Sequence, residues 1–141
     1  IHQQLTGTTP RVALLSFSSN GSAQHESVLK VRSALHIAKQ KQPGLIIDGE
    51  IQFDAAINPI IANQKTPNSS LSGTANVFVF PDLNAGNISS KITEHLAGAN
   101  AIGPILHGFK KPWLDLSRGC KADDIVKTAV IAAVMCDLKS P

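Results

Sequence analysis

The chain has no tyrosine, one tryptophan and five phenylalanines, so aromatic residues make up only 4% of its 141 positions. So few rings cannot build a base-stacking platform for nucleic acid. Charge is sparse as well. Thirteen basic residues against ten acidic ones leave a net charge of +3, and Lys110-Lys111 is the only adjacent basic pair. That balance is too mild to argue for nucleic acid or a membrane surface as partner. Two cysteines, Cys120 and Cys136, cannot make a disulfide framework, and reduced, cytoplasmic thiols are expected. No apolar run approaches the roughly 18 residues of a membrane span, and no charged-then-apolar leader is present. His2, His25, His36, His95 and His107 show no metal-ligand spacing, which argues against a metal site. The first residue is Ile rather than Met, which reads as a piece of a longer protein.

What is present is a chain long enough for one domain with a real core, patterned as alternating strands and helices. Val12–Phe17 reads as a buried strand. Val28, Val31, Leu35 and Ala38 follow at steps of three and four, the mark of one helix face, and Pro43-Gly44 ends that helix. Leu45–Asp48 is a second strand. A short helix follows, begun either at Asp54 or at Asn58, with Pro59 as its first residue in the second case. Residues 64–75 read as a loop, and Asn76–Phe80 as a third strand. A helix from about Gly86 carries Ile88, Ile92 and Leu96, and Ala101–Leu106 is a fourth strand. After a loop over 107–122, a helix from about Asp123 is apolar nearly all round and is expected to be buried. This alternation predicts an α/β fold, a parallel sheet in a three-layer α/β/α arrangement.

Two stretches carry candidate chemistry. Asn84-Ala85-Gly86-Asn87 places small residues at a helix start, where free N–H groups and the helix dipole favour an anion. The same residues are also ordinary turn formers. Ser117-Arg118, just before the last helix, offers a hydroxyl and a forked cation suited to phosphate, or a capping Ser beside a surface Arg. Asp124 in the first turn of that helix is either a structural carboxylate or a general base. Reference pKa values of about 3.9 for Asp and 8.5 for a thiol make full proton transfer cost about 6 kcal/mol. A base there therefore needs burial, thiolate stabilisation or concerted transfer.

Taken together, several runs resemble the phosphate acetyltransferase (phosphotransacetylase) family. They are Ala75–Asn87, Ala101–Leu106, Lys111-Pro112 and Asp115–Gly119 followed by Asp124–Val126. Upstream, Ser16–Ser18, Gly21–Ala23, Lys30–Arg32, Asp48-Gly49 and Gln52–Ala56 also match. The resemblance covers about residues 10–138 and implies the C-terminal part of the catalytic region, with residues 1–10 a linker or tail and a partner N-terminal domain absent. It implies a fold like isocitrate/isopropylmalate dehydrogenase, a homodimer, and reversible acetyl transfer in acetate metabolism: acetyl-CoA plus phosphate gives acetyl phosphate plus CoA. No cofactor is implied, since CoA is a substrate. The implied catalytic residues are Asp124 as base on the CoA thiol, Ser117 as a transition-state hydrogen bonder and Arg118 on phosphate. Asn84, Gly86, Asn87, Lys91 and Gly119 are implied substrate contacts. The chain departs from the family pattern at Asn20, Thr74, His95 and Trp113-Leu114. Phosphate butyryltransferase and a non-catalytic acetyl-CoA-sensing module are the alternatives.

Overall fold

The apolar run that begins at Arg11 forms the central strand β1 (Arg11–Leu15) of a three-stranded parallel sheet. In the computed structural model, which describes residues 1–137, the chain divides into two units. One is Thr9–Ser89; the other is Ile1–Thr8 with the chain from Ser90 on.

In the first unit, β2 (Ile46–Ile51) and β3 (Val77–Val79) flank β1 in the order β2-β1-β3. Successive side chains of a strand face opposite sides, and the core divides accordingly. Val12 and Leu14 pack with Ile47 and with Val31 of helix α2 (Glu26–Lys41). Ala13 and Leu15 pack with Ile51, Leu71 and Ala55-Ala56 of helix α3 (Phe53–Ile57). Helices therefore cover both faces, which is the expected three-layer arrangement. Fully burying Ile51 or Leu71 contributes about 1.5–3 kcal/mol each.

Local chemistry sets the boundaries. The His25 side chain accepts the Ser27 N–H to cap α2. Both readings of the short helix hold in part: α3 is followed at once by α4 (Pro59–Lys65), and Asn58 caps α4 by accepting the Ile60 and Ile61 N–H groups. Asp54 lies in the first turn of α3 rather than capping it. Gly49 sits where an added Cβ would lie 2.7 Å from the Leu14 Cβ, so the strands approach there only because a side chain is missing.

In the second unit α1 (His2–Thr6) is a short helix within the stretch expected to be a linker or tail. Helix α5 (Leu83–Leu96) spans the division between the units and starts three residues before the expected Gly86. The fourth strand departs from expectation. Only Ile105–Leu106 (β4) is extended, and it pairs antiparallel with Trp113–Leu114 (β5) as a separate two-stranded ribbon. The Gly103-Pro104 interruption leaves too short a run to join a parallel sheet. The last helix, α6 (Ala122–Asp137), is also not buried within this chain: among its described residues only Thr128 is buried. Among the described residues, no helix is long and apolar enough to cross a membrane.

Candidate active site

Parallel strands all end on one edge, and ligands of open α/β sheets bind outside those carboxyl ends. In the first unit that edge gathers the turn after β1, Gln52 after β2 and the start of α5 after β3. The turn is held by Glu50, the extra residue of a bulge in which Leu14 pairs with Gly49 and Leu15 with Ile51. The Glu50 carboxylate is only 3% exposed. It accepts hydrogen bonds from Ser18 Oγ (2.8 Å), Gly21 N–H (2.9 Å), and Arg32 Nε (2.7 Å) and Nη2 (3.0 Å). Burial by itself pushes this carboxyl up. The converging donors, Arg32 foremost, outweigh burial and hold it at about 2. Lys30 Nζ donates to the Pro81 carbonyl at 2.8 Å, tying α2 to the same edge.

Asn84, Gly86 and Asn87 lie in the first turns of α5 at this edge. The expected open helix start is occupied, however. Asp82 Oδ1 accepts the Ala85 N–H at 2.9 Å, and its backbone oxygen accepts the Gly86 N–H at 3.1 Å. A carboxylate is thus already seated where an incoming anion would bind.

The second unit holds a cavity of about 400 Å³. Glu94 and His95 of α5, Gly119 and Lys121 of the preceding turn, and Asp124 and Lys127 of α6 contribute to its wall. Asp124 and Lys121 begin α6 reciprocally: Asp124 Oδ2 accepts the Lys121 N–H at 2.8 Å, and the Asp124 N–H donates to the Lys121 carbonyl at 3.0 Å. Asp124 therefore has the structural role of a cap and a place on a charged cavity at once. Glu94 is bonded by Lys91 Nζ at 2.7 Å. That bond is the main reason its carboxyl lies below the usual range; desolvation and the negative charge of Asp124 act in the opposite direction.

Of the residues singled out from sequence, Asp124 and Gly119 therefore share one cavity. Among the described residues Ser117, Arg118 and Lys91 do not line it. Ser117 and Arg118 sit on the turn that leads to it, where the Ser117 carbonyl accepts the Cys120 N–H at 3.0 Å. Both side chains are exposed. Sequence reasoning missed the Glu50 cluster and the cavity cations Lys121 and Lys127. Glu50 meets Ser18 and Arg32 across separations of 32 and 18 residues, which no local spacing reveals. Among the described residues no group of three His, Cys, Asp or Glu is placed to hold a metal, and both cysteines are free thiols.

Comparison with known proteins agrees with the motifs. The model of the phosphate acetyl/butaryl transferase family matches residues 1–133. The chain is 54% identical to phosphate acetyltransferase of Acetivibrio thermocellus over 132 residues, 94% of this chain and 40% of that protein. It is likewise 54% identical to the Bacillus subtilis enzyme over 124 residues, 88% of this chain and 38% of that one. Among solved structures, the EutD phosphotransacetylase of Staphylococcus aureus matches with a TM-score of 0.87 at 48% identity, over 94% of this chain and 41% of the other. A phosphotransacetylase of Streptococcus pyogenes matches with a TM-score of 0.87 at 50% identity, over 94% and 40%. The chain thus spans about two fifths of the length of the relatives it matches. With a family model covering nearly its whole length, the chain belongs to the phosphate acetyl/butaryl transferase family.

Proposed function

We propose that this chain is the part of a phosphate acetyltransferase that carries the acid–base and phosphate-binding groups for reversible acetyl transfer between CoA and inorganic phosphate. One observation carries the reading. Asp124 opens α6 on the wall of a cavity that also holds Lys121 and Lys127, directly after the Ser117-Arg118-Gly119 turn. The names of the matched relatives point to the same reaction.

In the direction of acetyl-CoA synthesis, the CoA sulfur attacks the acetyl phosphate carbonyl, the C–O bond to phosphate breaks, and Asp124 takes the thiol proton. Its Oδ2 is engaged with the Lys121 N–H, which leaves Oδ1 for that proton. Lys121 and Lys127 lower the cost of the forming thiolate by opposite charge. Arg118 grips the phosphate with its fork, and Ser117 donates to the carbonyl oxygen as it becomes negative. Lys91 and Gly119 contact substrate. Both substrates bind together, so positioning supplies much of the rate and no acyl-enzyme is needed. The working protein is a cytoplasmic homodimer of longer subunits with a dehydrogenase-like α/β/α fold. Residues 1–10 connect this part to the amino-terminal domain.

The test is phosphate-dependent CoA release from acetyl-CoA by the full-length parent, repeated with butyryl-CoA. Asp124→Ala and Arg118→Ala should each lower turnover at least ~100-fold, the low end for losing acid–base help. Unchanged turnover in both variants refutes the assignment.

A further inference from the structure

The first unit has an opening of its own. With the strand order β2-β1-β3, the chain leaves β1 to one side for β2 and then crosses to the other side for β3. The direction of winding reverses between β1 and β3, and open α/β sheets form a ligand crevice outside the carboxyl ends at such a point. The turn after β1 is tied down almost completely. From Ser16 to Ala23 every backbone N–H donates a hydrogen bond except that of Phe17, which makes none among the described residues. Glu50 is central to this, since its side chain takes the Gly21 N–H and its carbonyl the Asn20 N–H. The Ser16 N–H goes to the β2 side, donating to the Ile51 carbonyl at 3.0 Å. Successive amides of a strand alternate between its two neighbours, so the Phe17 N–H falls on the β3 side. Pairing sets Leu14 beside Val79, and the same register carried onward brings Phe17 level with Asp82, one strand spacing of about 4.8 Å away. Just before Asp82, the Pro81 carbonyl accepts Lys30 Nζ at 2.8 Å, which leaves the ammonium two more N–H donors. An unpaired N–H and an ammonium thus border one crevice. The Phe17 ring stands with them, 58% exposed and in edge-to-face contact with His25 at a centroid distance of 6.0 Å. The Asp82 carboxylate is engaged with the Ala85 N–H at the start of α5.

We propose that this crevice seats the nucleotide end of CoA, with a phosphate between the Phe17 N–H and Lys30 and the adenine against the Phe17 ring. The proposal rests on the reading of the chain as part of an acetyltransferase that uses CoA, and adds a subsite to it. A backbone N–H beside an ammonium suits a phosphoryl oxygen, because a charge-assisted contact is the stronger kind. One exposed ring suffices to stack one base, since every base has a π-face. Rings too few for a strand of nucleic acid are enough for a single adenine. The thiol and the nucleotide lie at opposite ends of CoA. The nucleotide therefore needs residues other than those that take the thiol proton, and the first unit supplies them at its own carboxyl edge.

The test follows the backbone amides of the 141-residue chain by NMR as 3′,5′-ADP, the nucleotide end of CoA, is added. Inorganic phosphate and pantetheine are the comparisons. The nucleotide should shift the Phe17 amide saturably and move the Phe17 and His25 ring signals, and pantetheine should leave all of them in place. Phe17→Ala keeps the N–H and removes the ring; Lys30→Gln removes the charge. Each should weaken nucleotide binding roughly 10-fold, as for the loss of one base–aromatic stack or one charge-assisted contact. Both side chains are exposed, so neither change opens the core. No saturable shift at Phe17, or binding that both substitutions leave unchanged, overturns the proposal. Inorganic phosphate that shifts the Phe17 amide as strongly as the nucleotide, with Phe17→Ala without effect, also overturns it, because the crevice then takes a free phosphate. In the full-length parent, Phe17→Ala should raise KM for acetyl-CoA roughly 10-fold while kcat and KM for phosphate stay as they are. Turnover that survives Asp124→Ala and Arg118→Ala while the nucleotide still binds at Phe17 sinks the proposed function and leaves the subsite intact; acetyl transfer with an unaltered KM for acetyl-CoA in Phe17→Ala does the reverse.

Discussion

Replacing Glu50 with glutamine tests whether one buried carboxylate organises the carboxyl edge of the sheet. The carboxylate takes four donor contacts from Ser18, Gly21 and Arg32. Glutamine offers one acceptor oxygen and turns an amide N–H₂ toward donors. Removing one partner of a buried ion pair costs about 3–5 kcal/mol. Arg32 is 38% exposed and regains water, so the lower end applies. The titration gives a second route. A carboxyl lowered from 4.5 to about 2 corresponds to roughly 3 kcal/mol at 1.36 kcal/mol per unit. Because the folded-state value is depressed, this contribution is complete above pH 4.5 and is lost as pH falls toward 2. Urea unfolding followed by far-UV circular dichroism measures it. Trp113 is in the other unit, so its fluorescence is no substitute. At pH 7 Glu50→Gln should lose about 3 kcal/mol, a midpoint drop of about 2 M at a slope near 1.5 kcal/mol/M. The wild type should also shed stability between pH 4.5 and 2 that the variant lacks. A loss under about 1 kcal/mol, or the same acid dependence in both proteins, would refute the reasoning.

Gly49→Ala should destabilise the first unit by about 1–3 kcal/mol through overpacking, since its Cβ would meet the Leu14 Cβ at 2.7 Å and the Leu14 carbonyl oxygen at 2.9 Å; the same urea assay reads it, and an unchanged midpoint contradicts it. Asn58→Ala removes the acceptor for two N–H groups at the start of α4 and should cost about 1–2 kcal/mol, whereas Asn58→Asp should cost little. Activity losses in Asp124→Ala and Arg118→Ala should come without a fall in thermal stability of the first unit, because neither residue belongs to it; a matching drop in its melting temperature would mean that folding, not chemistry, was lost.

Much of the fold was legible locally. Strand β1, helix α2 and strand β3 follow from apolar runs, a 3–4 spacing and turn residues, because these patterns report burial of one face or both. The break at Asn58-Pro59 was readable too, since proline has no N–H to lose at a first helical position. The start of α5 was misplaced because Asp82 was not recognised as the capping acceptor. The fourth strand failed because a two-residue ribbon and a parallel edge strand look alike in sequence. Burial of α6 was expected from its composition, and the reason it is exposed lies in what packs beside it.

For the candidate site, clustered motifs point to Ser117, Arg118 and Asp124, close in space because a turn leads straight into a helix start; Asp124 lines the cavity, whereas Ser117 and Arg118 are exposed on the turn before it. Which groups share a cavity with Asp124 was not readable that way. Glu94 and His95 reach it from a helix about thirty residues earlier, and Glu50 finds Ser18 and Arg32 only after a strand–helix–strand crossover folds them together. Sequence by itself determined the alternation of strands and helices, since that depends on composition and short-range periodicity, and its clustered motifs carry the resemblance to the family whose model matches residues 1–133. Tertiary structure alone decided which charges face one another and which apolar faces lack a partner, because both are properties of contacts between residues far apart along the chain.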